Sequence, residues 1–379
     1  MYRRGKKAFE RREGRPAVNT IKQWLSLDLL DTLFFRGSDQ MVAGENHEIT
    51  SMFPPMPSTI LGAIRTAIMK QRGIDPRTFT QASGADPAVA QRFPLLGTPD
   101  CPGFEVCGPL FTVDTPNGEP LWFVPAPAHW FVEPPAPFLQ NDSPKTVELR
   151  VAHPMSEDAL NLGVCGTVSA PLLLHKPSSS SYKSLSGWWT TMPTIRRFSR
   201  VDCGEILLAS DQVSLTGHES LVVPLAMLTV PEQRMGIALK VSTRRVKEGH
   251  LYGAVHFRLR PGIRLAVGLS KDLAPSHLDP TGVLTLGGEQ RLVRYEILGQ
   301  GLPLEPTESR WIMALNPVPA RIVDGLGWRE RPRFSGPILQ VAGWDMRTRF
   351  HKETTSFLPA GTVVLVDVDE KFPFGFIKI

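Results

Sequence analysis

The stretch FPPMPSTILGAIRTAIMKQRG, residues 53–73, has the clearest helical pattern in the sequence. Three prolines keep its start extended, and Ser58 or Thr59 is expected to cap the helix by accepting its first free N–H groups. With a rotation of about 100° per residue, the apolar side chains fall on one arc: Ile60, Leu61, Ile64, Ala67 and Ile68. Gly73 is positioned to end the helix. The pattern predicts an amphipathic helix that buries one face.

The other side of this helix has features of an anion site. Gly62 lies off the apolar arc, where the absence of a side chain lets another backbone approach. Arg65 and Arg72 fall together along the border of the arc. Free N–H groups at a helix start, with arginines on one side, suit an anion such as an RNA phosphate. A core helix with solvated arginines has the same pattern, so the helix alone leaves both interpretations open.

The composition is that of a folded protein rich in loops and strands. Its 379 residues are enough for two domains, 42% are hydrophobic and 21% charged, and 35 prolines and 32 glycines make helix the expected minority. The four cysteines are irregularly spaced, which fits neither a disulfide framework nor a paired-cysteine zinc site. No run of about twenty apolar residues exists, and the N-terminus is basic rather than a signal peptide. These features predict a cytoplasmic protein without a membrane segment.

The net charge of +5 comes from the N-terminal tail, and a second basic segment lies within the nearly neutral remainder. Residues 1–15 contain seven Lys or Arg and two Glu, so this tail accounts for the whole net charge, and residues 1–20 are expected to be a flexible basic tail. Residues 231–264 contain eight basic residues against Glu232 and Glu248. The second segment predicts a local basic surface, which would add salt-dependent affinity for a polyanion.

The remaining pattern predicts a β-α opening and a second half built of strands. Residues 21–35 are predicted to form a strand that leads to Arg36, and the helix follows after a loop, as at the start of a ferredoxin-like domain. Further strands are predicted at 235–241 and 251–259 around a basic turn at 242–250, in a hairpin of 264–269 with 281–286, and at 292–298. The adjacent Gly287 and Gly288, before the strand at 292–298, permit close approach of a ligand or a tight crossover between strands.

Six sequence blocks occur in an order that resembles a known family. They are DTLFFRG at 31–37, FPPMPSTILGAIR at 53–65, PEQRMGIAL at 231–239, EGHLYG at 248–253, LGGEQR at 286–291, and AGWD followed by LPAGTVV at 342–364. Together they resemble the third subunit of the type III-B CRISPR (Cmr) effector complex, a family of the RAMP superfamily. The blocks cover nearly the whole chain.

The resemblance implies an α+β fold of two ferredoxin-like (RRM-type, RAMP) domains with inserted loops and β-hairpins, at 21–230 and 231–379. It also implies a non-catalytic subunit of an RNA-guided antiviral complex, which binds the 5′ tag of the crRNA. Such a subunit bridges the large polymerase/cyclase-like subunit to the backbone RAMP subunit. No cofactor, metal or membrane is expected.

Candidate RNA-binding residues come from the resemblance and from residue chemistry. The matched blocks imply a role for Ser58, Thr59, Gly62, Arg65, Arg234, Gly236, Gly287, Gly288 and Arg291. Basic or aromatic side chains near these blocks add candidates for phosphate binding and base stacking: Arg36, Arg72, Arg244, Arg245, Lys247, Tyr252 and Trp344.

Three alternatives remain open on the sequence. A RAMP endoribonuclease that processes guide precursor would need a general base and acid, for which His47 and His250 are the best placed. A protein scaffold that touches no RNA could dock partners through the proline-rich segment 125–138. The type III-A counterpart shares the expected fold and role. A divalent-metal site has little support, because Asp28 and Asp31 are more simply the polar side of the first strand.

Overall fold

The structure is a computed structural model that describes residues 21–37, 48–49, 51–81, 91, 94–99, 101–133, 145–154, 172–174, 181–209, 214–239, 243, 245–305, 307–345 and 350–379. The predicted basic tail, His47 and Arg244 lie outside the described residues.

The described residues form mainly strands. In chain order the strands are β1 Gln23–Leu29, β2 Glu48–Ile49, β3 Val106–Val113, β4 Leu121–Pro125, β5 Trp130–Val132, β6 Lys145–Pro154, β7 Leu172–Leu174, β8 Lys183–Ser184, β9 Trp189–Thr191, β10 Cys203–Leu208, β11 Leu221–Val223, β12 Thr229–Leu239, β13 Val246–Leu259, β14 Ile263–Leu269, β15 Thr281–Thr285, β16 Leu292–Leu298, β17 Trp311–Ala314, β18 Val318–Pro319, β19 Arg333–Phe334, β20 Leu339–Val341, β21 Trp344–Asp345, β22 Phe350–His351, β23 Thr355–Leu358, β24 Val363–Leu365 and β25 Phe376–Lys378. The helices are α1 Pro57–Gln71, α2 Pro76–Gln81, α3 Met192–Phe198 and α4 Ile322–Gly325. The mixed α+β class is confirmed, with strand in the majority.

Helix α1 has the predicted buried face but not the predicted cap. Its buried side chains are Ile60, Ala63, Ile64, Ala67, Ile68 and Met69, and Gly73 ends it with φ +64°. The cap prediction is wrong, because Pro57 takes the first helical position and Met56 is the N-cap residue, without a side-chain cap among the described residues. The Met56 carbonyl accepts the N–H of Thr59 at 2.9 Å. Ser58 and Thr59 are therefore exposed on the first turn.

The main sheet joins strands from both halves of the sequence. Its order is β15, β16, β1, β14, β3, β4, β9, β11, β10, β6, β5 and β8, with β7 paired to β6. Strand β1 runs antiparallel to both of its neighbours, so that Leu25 faces Val267 on β14 and Ile297 on β16. The hairpin predicted for 264–269 with 281–286 is wrong, because β1 and β16 lie between these strands. The domain boundary between residues 230 and 231 stays a prediction. Strand β1 lies before this boundary and pairs with β14 and β16, which lie after it.

A large hydrophobic core lies along this sheet, which contains both parallel and antiparallel strand pairs. It includes Leu25, Ile64, Phe111, Leu265 and residues as far along the chain as Ile379. Helix α1 covers part of the sheet and packs against β3 and β15. A second cluster of buried residues surrounds Ile312, Trp328, Val364 and Phe376. Smaller sheets add β12-β13-β2, β19-β24-β17-β25, β18-β23-β20 and β21-β22.

Two predicted strand boundaries differ from those of the structure, and both differences affect residues of the candidate site. The strand predicted for 21–35 ends at Leu29, because the Thr32 N–H bonds to the Asp31 carboxylate at 2.7 Å and the chain turns. Asp31 is therefore not on the polar side of a strand. In the second half, β12 and β13 are longer than predicted, so Lys247 and His250 lie within β13 instead of a turn. None of the described helices is long and apolar enough to cross a membrane.

Leu25→Ala tests whether β1 is central to the common core. Leu25 is fully buried between β14 and β16, so the cavity should lower the free energy of unfolding by about 2–5 kcal/mol. Urea unfolding measures the change. The matched control is Leu30→Ala, five positions later and 46% exposed, with an expected change within about 0.5 kcal/mol. Equal stability of the two variants would contradict the central position of β1.

Candidate nucleic-acid interface

Three segments far apart in the sequence meet at one edge of the fold. They are the loop after β1 at residues 30–37, the hairpin of β12 with β13, and the loop between β15 and β16. Leu33 and Phe257 exchange two backbone hydrogen bonds of 2.8 Å, which join the first segment to β13. The Gly288 N–H bonds to the Phe34 carbonyl at 2.8 Å, which joins the first segment to the third. Three of the sequence blocks, DTLFFRG, PEQRMGIAL and LGGEQR, thus form one surface region.

The two glycines of the third segment are required by contact with Phe34. Gly287 has φ +80°, and a Cβ there would lie 2.7 Å from the Phe34 carbonyl oxygen. A Cβ on Gly288 would lie 2.8 Å from the Phe34 ring. The sequence left two explanations for these glycines, close approach of a ligand or a tight crossover between strands. The contacts with Phe34 favour the second, because the close approach occurs within the chain itself.

The next two residues are conformationally strained. Glu289 and Gln290 have φ of 58° and 53°, the left-handed region that non-glycine residues seldom adopt. Such conformations cost on the order of 1 kcal/mol each and cluster at functional sites. They place Glu289 and Arg291 on the same exposed turn.

Six charged side chains form an arginine–carboxylate network where the three segments meet. Its members are Asp31, Glu232, Arg234, Arg258, Glu289 and Arg291. Asp31 is at the centre: Arg291 donates a short hydrogen bond to its Oδ2, and Nη2 of Arg234 lies 3.4 Å from its Oδ1. Nη2 of Arg258 lies 3.9 Å from the same oxygen.

The other two carboxylates hold the arginines from outside. Nε of Arg258 donates to Glu232 at 2.6 Å, and Nη2 of Arg234 donates to it at 3.2 Å. Nη2 of Arg291 donates to Glu289 at 2.5 Å. Three guanidinium groups and three carboxylates give no net formal charge, so the arginines predicted to bind phosphate are already paired inside the chain.

The electrostatics of the network favour the charged forms of its members. The pKa of Asp31 is lowered, mainly by the Thr32 N–H and then by Arg291 and Arg234. The pKa of Glu232 is lowered mainly by the hydrogen bond from Arg258, and the pKa of Arg291 is raised mainly by the hydrogen bond to Glu289. The side chains of Asp31 and Arg258 are 40% and 48% exposed, so an external ligand can reach the network.

An aromatic pair lies beside the network. The Phe34 ring stacks on His256 with centroids 5.2 Å apart and an angle of 19° between the rings. His256 is buried, its Nδ1 is 3.2 Å from the Thr32 hydroxyl, and burial is the main cause that lowers its pKa. Six residues of this region were not predicted from the sequence as site residues: Asp31, Glu232, Arg258, Glu289, Phe34 and His256. The usable signal was that four of them belong to the matched blocks.

The start of α1 is anchored to the same region. Phe53 stacks on Phe257 with centroids 4.9 Å apart, and the Met52 N–H bonds to the Phe35 carbonyl at 2.9 Å. Gly62 is exposed, and among the described atoms its Cβ position has nothing within 4 Å. The close backbone predicted beside Gly62 is therefore not a feature of the described chain, and that helix face is open to a ligand.

Two predicted arginines of α1 make contacts within the protein. Nη2 of Arg65 donates to the Thr98 carbonyl at 2.6 Å, and the guanidinium lies 5.1 Å from the centre of the Phe79 ring. Arg72 pairs with Asp279 at 2.8 Å and also donates to two nearby carbonyls. These contacts tie the helix to its neighbours and do not bring the arginines into the network.

The other candidates occupy separate positions. Arg36 is exposed and its backbone pairs with Ser51, and Arg245 is exposed just before β13. Lys247 and Tyr252 lie in β13, where Tyr252 is opposite Gly236 of β12. Trp344 lies in β21, opposite His351. The described residues hold no group of three or more His, Cys, Asp or Glu that could bind a metal.

Comparison with known proteins places the chain in a family. The model of the CRISPR-associated protein family Cas_Cmr3 matches residues 25–314, which include the three segments of the network. The chain therefore belongs to the Cas_Cmr3 family of CRISPR-associated proteins, and the resemblance found in the sequence is confirmed. A search of curated proteins found no match.

Solved structures that contain similar chains were also found. One is the cryo-EM structure of the type III-B Cmr-beta complex bound to cognate target RNA, with 16% identity, a TM-score of 0.48, and coverage of 90% of this chain and 86% of that chain. Another is the crystal structure of the Csm3-Csm4 subcomplex of the type III-A interference complex, with 10% identity, a TM-score of 0.42, and coverage of 91% and 92%.

Asp31→Asn tests the central carboxylate. Because the folded chain lowers the pKa of Asp31, its charge stabilises the fold above its ordinary pKa of 3.8, and this stability is lost as the pH falls through the lowered value. The variant should be less stable than wild type at pH 7, and the difference should shrink as the pH falls from about 5 towards 3. Urea unfolding at several pH values measures it.

The control is Asp28→Asn on β1. The Asp28 carboxylate is 50% exposed and 3.8 Å from Arg294, a geometry from which little stability is expected. Equal stability of Asp31→Asn and wild type at pH 7 would show that Asp31 does not stabilise the network.

Proposed function

We propose that this chain is a non-catalytic subunit of a type III-B Cmr RNA-guided effector complex and that it binds the 5′ tag of the crRNA. Membership of the Cas_Cmr3 family supports the complex. The observation that supports RNA binding most strongly is the convergence of three distant sequence blocks on Arg234, Arg258 and Arg291. In this role the chain bridges the large polymerase/cyclase-like subunit to the backbone RAMP subunit in antiviral defence.

Phosphate binding at the network follows from the chemistry of its arginines. Guanidinium groups are planar, permanently charged, and present several donors that match phosphate oxygens. Arg291 and Arg234 approach one carboxylate from two sides, which shows that the backbone can hold them around a single anion. Phosphate contacts alone do not read sequence, so specific recognition of the tag also requires contacts to bases.

The exposed start of α1 offers a second contact region for the same RNA. Ser58 and Thr59 present hydroxyl groups on the first turn, where the helix dipole favours negative charge. The open face at Gly62 lets a ribose-phosphate backbone approach the helix closely. Aromatic stacking by Tyr252 and Trp344 stays a prediction.

We also propose that the fold is built on two ferredoxin-like RAMP domains. The β1-α1 unit followed by β3 is compatible with the first such domain, although β1 pairs with β14 and β16 from the second half. The endoribonuclease alternative is less favoured, because His250 lies in strand β13 rather than in a loop. The match to Cas_Cmr3 favours the type III-B subunit over the type III-A counterpart.

Arg291→Ala and Arg234→Ala test RNA binding at the network. Each removes a charge-assisted phosphate contact worth about 1.5–3 kcal/mol, so affinity for an RNA with the 5′ tag should fall about tenfold or more. The slope of log affinity against log salt should also become shallower by roughly 0.7 to 1 per lost contact. Fluorescence anisotropy with the purified chain at two salt concentrations measures both quantities.

A matched control exists in a second arginine–carboxylate cluster. Arg331 donates to Asp367 and Glu370, each at 2.9 Å, and is 29% exposed, so Arg331→Ala removes the same charge in a similar setting. Its RNA affinity should stay near that of wild type. If all three variants weaken binding equally, the network has no special role. An RNA with a scrambled tag shows whether bases are read.

A further inference from the structure

The position of Asp31 resembles that of a bound anion. Three guanidinium groups converge on this one carboxylate, from one loop and two strands. Arg291 donates a short hydrogen bond to Asp31 and Arg234 donates a long one of 3.4 Å, whereas Nη2 of Arg258 lies 3.9 Å from Oδ1, beyond hydrogen-bond reach. Asp31 therefore occupies the centre of the arginine group without satisfying all of it.

We propose that Asp31 and Glu289 are internal substitutes for RNA phosphate, which determine the specificity of this surface by occupying its arginines until the correct RNA displaces them. The inference rests on the proposed RNA-binding function and adds to it a role for two acidic residues. A phosphodiester has one negative charge and two free oxygens, the same set as a carboxylate. Exchange of one for the other therefore leaves each arginine paired with a negative charge, while the displaced carboxylate stays close by on the chain.

Asp31 has the properties of a displaceable group. Its Oδ1 accepts the Thr32 N–H at 2.7 Å, a hydrogen bond within the same turn that does not depend on the arginines. Its side chain is 40% exposed, so water can replace the lost guanidinium contacts. The carboxylate can thus leave the arginines at a modest cost.

Glu289 is similarly placed on the surface. Its side chain is 45% exposed, and its only described partner is Arg291, which is two residues away. Glu232 differs, because it holds both Arg234 and Arg258 from the strand side and keeps them positioned. Asp31 and Glu289 therefore compete with a ligand for the arginines, and Glu232 orients the guanidinium donors.

Competition by carboxylates lowers the affinity of the arginines for any phosphate, so an RNA must supply further binding free energy to occupy this surface. An RNA that offers only phosphates must displace Asp31 and Glu289, and the repulsion between phosphate and the displaced carboxylates offsets much of the gain. An RNA that adds base contacts has a surplus of binding free energy. The two acidic residues thus suppress non-specific binding, the property that separates a tag-binding subunit from a general polyanion binder.

The test is RNA binding by Asp31→Asn and Glu289→Gln in the full chain. Each variant should bind a single-stranded RNA with the scrambled tag about three- to tenfold more tightly than wild type, because one repelling charge is removed. The gain should be of similar size for the RNA with the true tag, because its phosphates meet the same carboxylates, and it should shrink as salt rises. Thermal unfolding in parallel shows that the variants are folded.

The control is Asp367→Asn in the second cluster. Asp367 is paired with Arg310 and Arg331 and is 65% exposed, so this variant changes the net charge by the same amount at a different place. Its RNA affinity should not change. Unchanged or weaker binding by both Asp31→Asn and Glu289→Gln would overturn the inference, since a purely structural role predicts weaker binding.

The outcome also separates this inference from the proposed function. If Arg291→Ala weakens RNA binding and the acidic variants do not tighten it, the network binds RNA but the carboxylates do not control specificity. If Arg291→Ala has no effect on RNA binding, the proposed binding site fails and the inference fails with it.

Discussion

The pairing of β1 with both β14 and β16 is the constraint on which the rest of the structure depends. This one strand from the start of the chain lies between two strands from the second half, in register over most of its length. The chain must then turn at Asp31, directly beside the loop that leads into β16. Because of this register, residues 31–37 meet residues 286–291, and no local interaction in either segment would bring them together.

The second determining feature is charge pairing within the surface. Counted along the sequence, residues 231–264 are strongly basic. In the folded chain, Arg234 and Arg258 face Asp31 and Glu232 instead of standing alone. A surface that is basic in sequence is therefore locally balanced in structure. In the proposed function, anion binding at this surface depends on exchange between carboxylate and phosphate more than on net charge.

Local patterns predicted local structure well. The apolar arc of α1, its end at Gly73 and the strand at 292–298 follow from periodicity and glycine geometry, and the structure confirms them. The cap at Ser58 or Thr59 failed because Pro57 can start a helix without a side-chain cap. The predicted hairpin of 264–269 with 281–286 is wrong because two strands lie between its members in the sheet: β16, and β1 from the start of the chain.

The site could be predicted only in part for the same reason. Arg234 and Arg291 were found through the sequence blocks, and the structure brings these two together. Arg65 and Arg72 were found through helical periodicity, which cannot show that Thr98 and Asp279 are their partners. Asp31 was assigned to the side of a strand, because its role depends on contacts 203 and 260 positions away.

The most direct test is a structure of the effector complex assembled with this chain and a guide RNA, in which distances from tag phosphates to the network are measured. We expect Arg234 and Arg291 each to lie within about 3.2 Å of a phosphate oxygen and Asp31 to have moved away from them. A tag that runs elsewhere, with the contacts between Asp31 and the arginines intact, would contradict this expectation.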